Sequence, residues 1–189
     1  MKAKVYKIMA PAMKHRDGWK CPKTELHVVY SESRMGVPWK TIRPMIACAF
    51  RHVQREAFND LKLDFIIRNK GSFTTLYLRK GKYGWHGRNS GMRSFIFVGK
   101  LHEDARETTY PKFVDMPVFW HKDWREHLVG LTAHELWHRW QPGSGKQAEI
   151  MCELVESDAI DAYRKQEGYT FTPPATISAT APTPELVTV

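Results

Sequence analysis

Cysteine is scarce in this chain: the three present, Cys21, Cys48 and Cys152, are scattered over 189 residues. That number and spacing exclude a disulfide framework and a paired-cysteine zinc knuckle, and they point to a reducing compartment, the cytoplasm. Long apolar runs are missing too. No stretch reaches the ~18 residues of a membrane-spanning helix, so a soluble protein is expected. The one apolar run near the N-terminus is short and leads into Lys14, His15 and Arg16, which a secretory signal would not carry. Carboxylates are rare in the first half. Residues 1–100 hold 21 Lys+Arg and 6 Asp+Glu, a formal +15; residues 101–189 hold 8 and 14, a formal −6; together they give the net +9 of the whole chain. The basic half is therefore a candidate surface for nucleic acid or an acidic partner.

What is present reads as one domain, residues 1–168, followed by a tail. A chain of this length buries a core without disulfides or a structural metal, so a metal here would serve function rather than folding. The stretch "ELHVVYS" (25–31) alternates as a strand does, and 38–61 carries Ile46, Phe50, Val53 and Phe58 at roughly helical spacing. This predicts a helix from about residue 43, with Pro44 in the first turn, where proline is tolerated. Residues 63–69, 72–80, 94–100 and 116–122 are rich in β-branched and aromatic residues and predict strands. Between them, "GKYGWHGRNSGMR" (81–93) is too glycine-rich for regular structure and predicts a flexible, basic, aromatic loop. Two helices follow. The first, 123–141, opens with an Asp123–Glu126 capping box and ends at Pro142; the second, 144–168, opens with Ser144 and Gln147 and closes at Gly168. Residues 169–189, rich in Thr, Pro and Ala, predict a disordered tail.

The chemistry is concentrated in the two helices. "HELWH" sets His134 and His138 four apart, on one helical face, with Glu135 one step round. Two imidazoles at that spacing offer nitrogens to one ion, and an adjacent carboxylate is placed to accept a proton from water that a zinc ion has acidified. The rest of this helix is apolar nearly all round. Burying two histidines and a glutamate there without partners would cost a few kcal/mol each, a difficulty that a bound ion removes. No histidine follows His138, so a third ligand must come from Glu149, Glu153 or Glu156 on the next helix. On a helical wheel these lie within about 60° of one another. Glu156 borders the apolar stripe most closely and is the choice made here, with Glu153 and Glu149 read as solvated or supporting residues.

This pattern resembles the gluzincin class of zinc metallopeptidases, in which a histidine pair on one helix is joined by a glutamate on the next. Glu156, Ala159 and Ala162 are similar to the second helix of small intracellular members of the ImmA/IrrE type. The resemblance covers residues 117–165. It implies an α+β, zincin-like (minigluzincin) domain: a mostly antiparallel sheet against the active-site helix, a following glutamate helix, and an edge strand that accepts an extended protein or peptide substrate. It implies Zn²⁺ held by His134, His138 and Glu156, with Glu135 as the general base. Thermolysin-like glutamate helices carry an aspartate four residues after the ligand; from Glu156 that position is Ile160, and from Glu153 it is Ser157. SprT-like proteases share the His-Glu-x-x-His core and suit the basic half, but take a third histidine that this chain lacks.

Other residues are weaker candidates. His127 and His121 are placed to line a cleft, and Tyr163, Tyr83, Trp85 or His86 to donate to a developing oxyanion. The loop "RKGKYGWHGR" mixes cations with aromatics, the pairing that grips single-stranded nucleic acid. The alternative to a peptidase is thus a basic nucleic-acid-binding protein whose peptidase-like helix pair is structural or inactive.

Overall fold

Alternation builds the sheet. In Thr24–Tyr30 the side chains of Leu26, Val28 and Tyr30 are buried while Glu25, His27 and Val29 are partly exposed, the period of two of a sheet covered on one face. The structure, a computed structural model, describes residues 2–14, 20–21, 24–60, 74–82, 84–90, 93–108, 118–140 and 145–174. In chain order its elements are β1 (Lys4–Ala10), β2 (Met13–Lys14), β3 (Lys20–Cys21), β4 (Thr24–Tyr30), α1 (Glu32–Met35), α2 (Trp39–Asp60), β5 (Thr74–Lys80), β6 (His86–Ser90), β7 (Arg93–Val98), β8 (Arg106–Glu107), β9 (Trp120–His121), α3 (Trp124–Trp140) and α4 (Lys146–Glu167).

Among the described residues the main sheet has five strands in the order β1-β4-β5-β7-β6. The expected sheet was mostly antiparallel; this one is mixed. β1 with β4 and β6 with β7 are antiparallel, while β4, β5 and β7 run parallel. The 22-residue helix α2 between β4 and β5 is a crossover that returns the chain in the same direction, and β6, which runs back on the far side of β7, does the same between β5 and β7. α2 starts at Trp39, four residues before the expected position, so Pro44 lies inside the helix. Pro44 and Lys40 are both exposed, so the carbonyl that proline leaves without an intrahelical donor faces water.

Two strands of the main sheet were not expected from the sequence, nor were the short strands β2, β3 and β8. β1 pairs with β4 from Lys4↔Tyr30 to Ala10↔Thr24. β6 occupies residues read as a flexible loop, paired with β7 from His86↔Phe97 to Ser90↔Arg93. Of the expected strand 116–122 only Trp120–His121 forms one among the described residues, paired with β8, and the expected strand 63–69 lies outside the described residues.

α2, α3 and α4 pack together on one side of the sheet. Their core joins Ile46, Phe50 and Val53 to Leu128, Val129, Leu136 and Trp137, and to Cys152, Val155, Ala159 and Tyr163. Cys48 and Cys152 are free and buried, and they act as small hydrophobes. None of the described helices is long and apolar enough to cross a membrane.

The ends of the helix pair are fixed by named bonds. Asp123 Oδ1 accepts the backbone N–H of Arg125 at 2.8 Å and of Glu126 at 3.3 Å, half of the expected capping box. Glu126 does not complete it in the usual way; its carboxylate accepts the N–H of Lys122, one residue earlier, at 2.6 Å. The same fully buried carboxylate accepts Arg164 Nε at 2.8 Å, Arg164 Nη2 at 2.7 Å and the hydroxyl of Tyr169 at 2.9 Å. The start of α3 is thereby tied to the end of α4. Gly168, at φ 74°, closes α4 as expected. Ser144 lies outside the described residues, and Gly145 stands at the cap of α4 without a side-chain bond. The tail does not begin at 169: Tyr169 is bonded to Glu126, and Phe171 lies beneath the Arg164 guanidinium at 4.9 Å. Residues 175–189 lie outside the described residues.

Candidate metal centre

The site lies where α3 and α4 face each other in an antiparallel hairpin. His134 and His138 project together from α3, as their spacing requires, with ring centroids 4.9 Å apart. Their Nε2 atoms are 3.1 Å apart. Glu149, in the first turn of α4, brings its Oε2 to 3.4 Å from His134 Nε2 and 3.5 Å from His138 Nε2. Four ligands set tetrahedrally at 2.0–2.1 Å from an ion are separated by about 3.4 Å, so these three atoms have the spacing of three corners of one coordination shell.

Glu156 sits elsewhere. Its Oε2 is 3.2 Å from His134 Nδ1, the opposite ring nitrogen, and its Oε1 is 3.3 Å from His121 Nε2. Glu153 Oε1 also lies on the Nδ1 side, at 3.5 Å. The expected ligand thus stands behind the first histidine, in the position of a carboxylate that fixes an imidazole's tautomer and orientation. Gly130 makes room for it: a Cβ there would come within 2.7 Å of Glu156 Oε1 and 2.9 Å of Ile160 Cδ1.

Two further donor sets fall within 4.8 Å: His134 with His138 and Cys152, and His134 with Glu153 and Glu156. Burial and nearby carboxylates push the Cys152 thiol up, which disfavours the thiolate that would bind a metal. The second set uses His134 Nδ1 and omits His138. The set on the Nε2 side uses both histidines.

The charges are unusual. Glu135, Glu153 and Glu156 are buried, and among the described residues no lysine or arginine bonds to any of them. Burial would disfavour a charged His134, but hydrogen bonds to Glu149 and Glu156 outweigh it and raise its pKa to about 10. Burial likewise would raise Glu156, yet His121 and His134 hold it well below the usual carboxylate range. Burial and Glu156 push Glu153 up, and among the described residues neither of its oxygens accepts a hydrogen bond. His138 is lowered by burial and by His134. Protons on His134 and Glu153 offset the carboxylates here; a divalent cation between His134, His138 and Glu149 offsets them by the same logic.

The Glu135 carboxylate lies against strand β6, where residues not singled out in the sequence hold it. Ser94 Oγ donates to Asn89 Oδ1 at 2.6 Å, which turns the amide so that Asn89 Nδ2 donates to Glu135 Oε2 at 2.5 Å. A Cβ at Gly87 would collide with the same carboxylate, so strand β6 can approach α3 only because position 87 has no side chain. Burial pushes Glu135 up to about 7, opposed by His134 and assisted by Glu149 and Glu156. No apolar pattern marks Asn89 or Gly87. The one available signal was the glycine itself, which in a strand indicates close approach of another group.

The remaining candidates are not in the centre. His127 is stacked between Trp85 at 4.5 Å and His121 at 4.4 Å, with Nδ1 3.4 Å from His102 Nε2. Trp85 Nε1 donates to the Lys100 carbonyl at 3.0 Å. His86 is exposed and stacks on Phe97. Tyr163 is buried in the core, and Tyr83 lies outside the described residues.

Taken together, fold and site define an α+β protein with a mixed sheet and a histidine–glutamate cluster able to hold a metal ion. No family model, no curated protein and no solved structure matches this chain.

Proposed function

We propose that this chain is a small zinc-dependent metallopeptidase in which His134, His138 and Glu149 hold Zn²⁺ and Glu135 is the general base. The observation that carries the reading is the triangle of 3.1, 3.4 and 3.5 Å between His134 Nε2, His138 Nε2 and Glu149 Oε2. Two histidines and a glutamate with a fourth position left to solvent are the ligand set of catalytic zinc. With Glu149 as the ligand the residue four further on is Glu153, a carboxylate 3.5 Å from His134 Nδ1, while the match of Ala159 and Ala162 to Glu156 is given up. A zincin-like domain in the reducing cytoplasm, where Cys48 and Cys152 stay free, is part of the same reading.

When bound, zinc would acidify a water molecule and polarise a peptide carbonyl. Glu135 is the residue that would accept and return a proton in such a hydrolysis, and its raised pKa suits a group that must do both near neutral pH. Asn89 holds the carboxylate in one orientation during the transfer. β6, the last strand of the sheet among the described residues, offers its outer backbone edge to an extended protein or peptide substrate.

The test is hydrolysis of an unstructured peptide mixture by zinc-loaded protein, with Glu135→Gln alongside. The expected result is about one zinc per chain in both and peptide cleavage by the wild type alone. A wild type that takes up no zinc, or a Glu135→Gln variant that cleaves as fast, would overturn it.

A further inference from the structure

The parallel strands β4, β5 and β7 end side by side, at Tyr30, Lys80 and Val98. The carboxyl edge of parallel strands is where open α/β sheets place ligands. Two clefts lie there. One, of about 480 Å³, is lined by Ser31, Arg34, Tyr77, Arg79 and Lys80 among others; the next, of about 590 Å³, by Lys80, Lys82 and Lys100 with glycine backbone between them. Met35 and Lys80 belong to both, and among the described residues no carboxylate lines either. Five cations therefore border one groove, and among the described residues no acidic side chain lines it.

An aromatic ladder adjoins the groove through Tyr77 and Arg79. On the sheet face away from the helices, Tyr77 stacks on Phe95 at 5.0 Å and 18°, and His86 on Phe97 at 4.4 Å and 9°. The Arg79 guanidinium lies 5.2 Å from the Phe95 ring centre and that of Arg88 also 5.2 Å from it. Two exposed guanidiniums thus share one ring, and among the described residues no carboxylate pairs with either. Like charges held together without a counter-charge gain from a polyanion. Planar groups beside them suit a polyanion that also carries rings.

We infer that this groove and the adjoining ladder bind single-stranded nucleic acid, with phosphates along Arg34, Arg79, Lys80, Lys82 and Lys100 and bases stacked on the Tyr77 and His86 side. Single strands fit because their bases are free to stack. An acidic protein would satisfy the cations and leave the ladder unused. No residue of the metal centre lines either cleft, so the inference stands apart from the peptidase reading.

The experiment is fluorescence anisotropy of the full chain with a labelled oligothymidylate of about 20 nucleotides, from 50 to 200 mM salt. Five phosphate contacts on a single strand give a log–log salt slope of about −3.5, roughly a 100-fold loss of affinity across that range. Lys80→Glu combined with Lys100→Glu is expected to weaken binding more than tenfold and to flatten the slope by about 1.4. Lys165→Glu, at an exposed site on α4, controls for general charge and leaves binding within twofold. An abasic strand of equal length binds at least tenfold more weakly if bases stack. No binding at 50 mM salt, equal loss in the Lys165 control, equal affinity for the abasic strand, or displacement by polyglutamate as effective as by unlabelled strand would each overturn the inference. Circular dichroism of the double variant keeps loss of binding separate from loss of fold.

Discussion

Replacing Glu149 by alanine, with Glu156→Ala as its partner experiment, separates a metal ligand from a residue that orients one. Glu149 Oε2 faces both Nε2 atoms, at 3.4 and 3.5 Å, whereas Glu156 meets only Nδ1 of His134, at 3.2 Å. Removing Glu149 leaves two protein donors; removing Glu156 leaves all three, with one imidazole no longer fixed. Loss of an outer partner typically weakens metal affinity about 10–100-fold. At zinc 100-fold above the wild-type Kd, binding adds about 2.7 kcal/mol to stability. At about 2–4 °C per kcal/mol this raises the wild-type Tm by roughly 5–11 °C. The same zinc concentration adds only about 0.4–1.4 kcal/mol to Glu156→Ala, a rise of roughly 1–6 °C. Glu149→Ala is expected to show no measurable rise. The assay is thermal unfolding with and without zinc, each shift referred to the same variant without metal, so that stability lost by the substitution cancels. A zinc-dependent rise in Glu149→Ala and none in Glu156→Ala would move the ion to the Nδ1 side, with Glu153 and Glu156, and refute the assignment.

Three further outcomes are expected. Gly87→Ala drives a methyl group into the Glu135 carboxylate, so zinc content measured by mass spectrometry stays near one per chain while peptide hydrolysis falls about 100-fold, the scale of an ångström-sized misplacement. Asn89→Ala removes the donor to Glu135; a hydrogen bond to a charged group is worth about 1.5–3 kcal/mol, so turnover falls roughly 10–150-fold with zinc affinity unchanged, and an unaltered rate would show that Glu135 does not need this bond. Glu126→Gln breaks the buried pair with Arg164, at about 3 kcal/mol, lowering Tm by roughly 6–12 °C. Its pH dependence has a definite sign: burial would raise the Glu126 pKa, but Arg164, Lys122 N–H and Tyr169 hold it below the ordinary value. The stabilisation is therefore complete above the unfolded pKa of about 4.3 and is lost as pH falls through the lower folded value. The gap between wild type and variant should close below about pH 4, and a gap that widens there contradicts the argument.

The parts of the fold that could be read in advance are those in which burial falls on apolar side chains. In β4, Leu26, Val28 and Tyr30 carry the inward face, and in β5 Leu76 and Leu78 do, so the period of two is visible. β6 has no apolar residue at all. Its partly buried positions are Gly87 and Asn89, its exposed ones His86, Arg88 and Ser90. The alternation is real but is carried by size and hydrogen bonding, to which a hydrophobic pattern is blind. β1 fails for the opposite reason. Val5 and Met9 are apolar yet 61% and 47% exposed, while Ile8 and Ala10 are buried, so apolar residues on both faces hide the period.

At the candidate metal centre, the histidine pair and Glu135 follow from i, i+4 geometry on a single helix and need no knowledge of neighbours. The proposed third ligand does need it. A helical wheel ranks Glu149, Glu153 and Glu156 by angle alone and discards position along the axis, although Glu149 and Glu156, seven residues apart, are separated by about 10 Å of rise. In an antiparallel pair that discarded coordinate decides the partner. His138 near the end of α3 meets Glu149 near the start of α4; His134, four residues back, meets Glu153, four residues forward; and Gly130, one turn further back, meets Glu156. The short connection between the helices already implied this antiparallel order. Applying it to the sequence would have excluded Glu156 as a partner of both histidines, since a carboxylate opposite Gly130 is two turns of α3 away from His138. It would also have given Gly130 a reason to be glycine: the buried carboxylate that supports His134 from behind takes the space a side chain would fill.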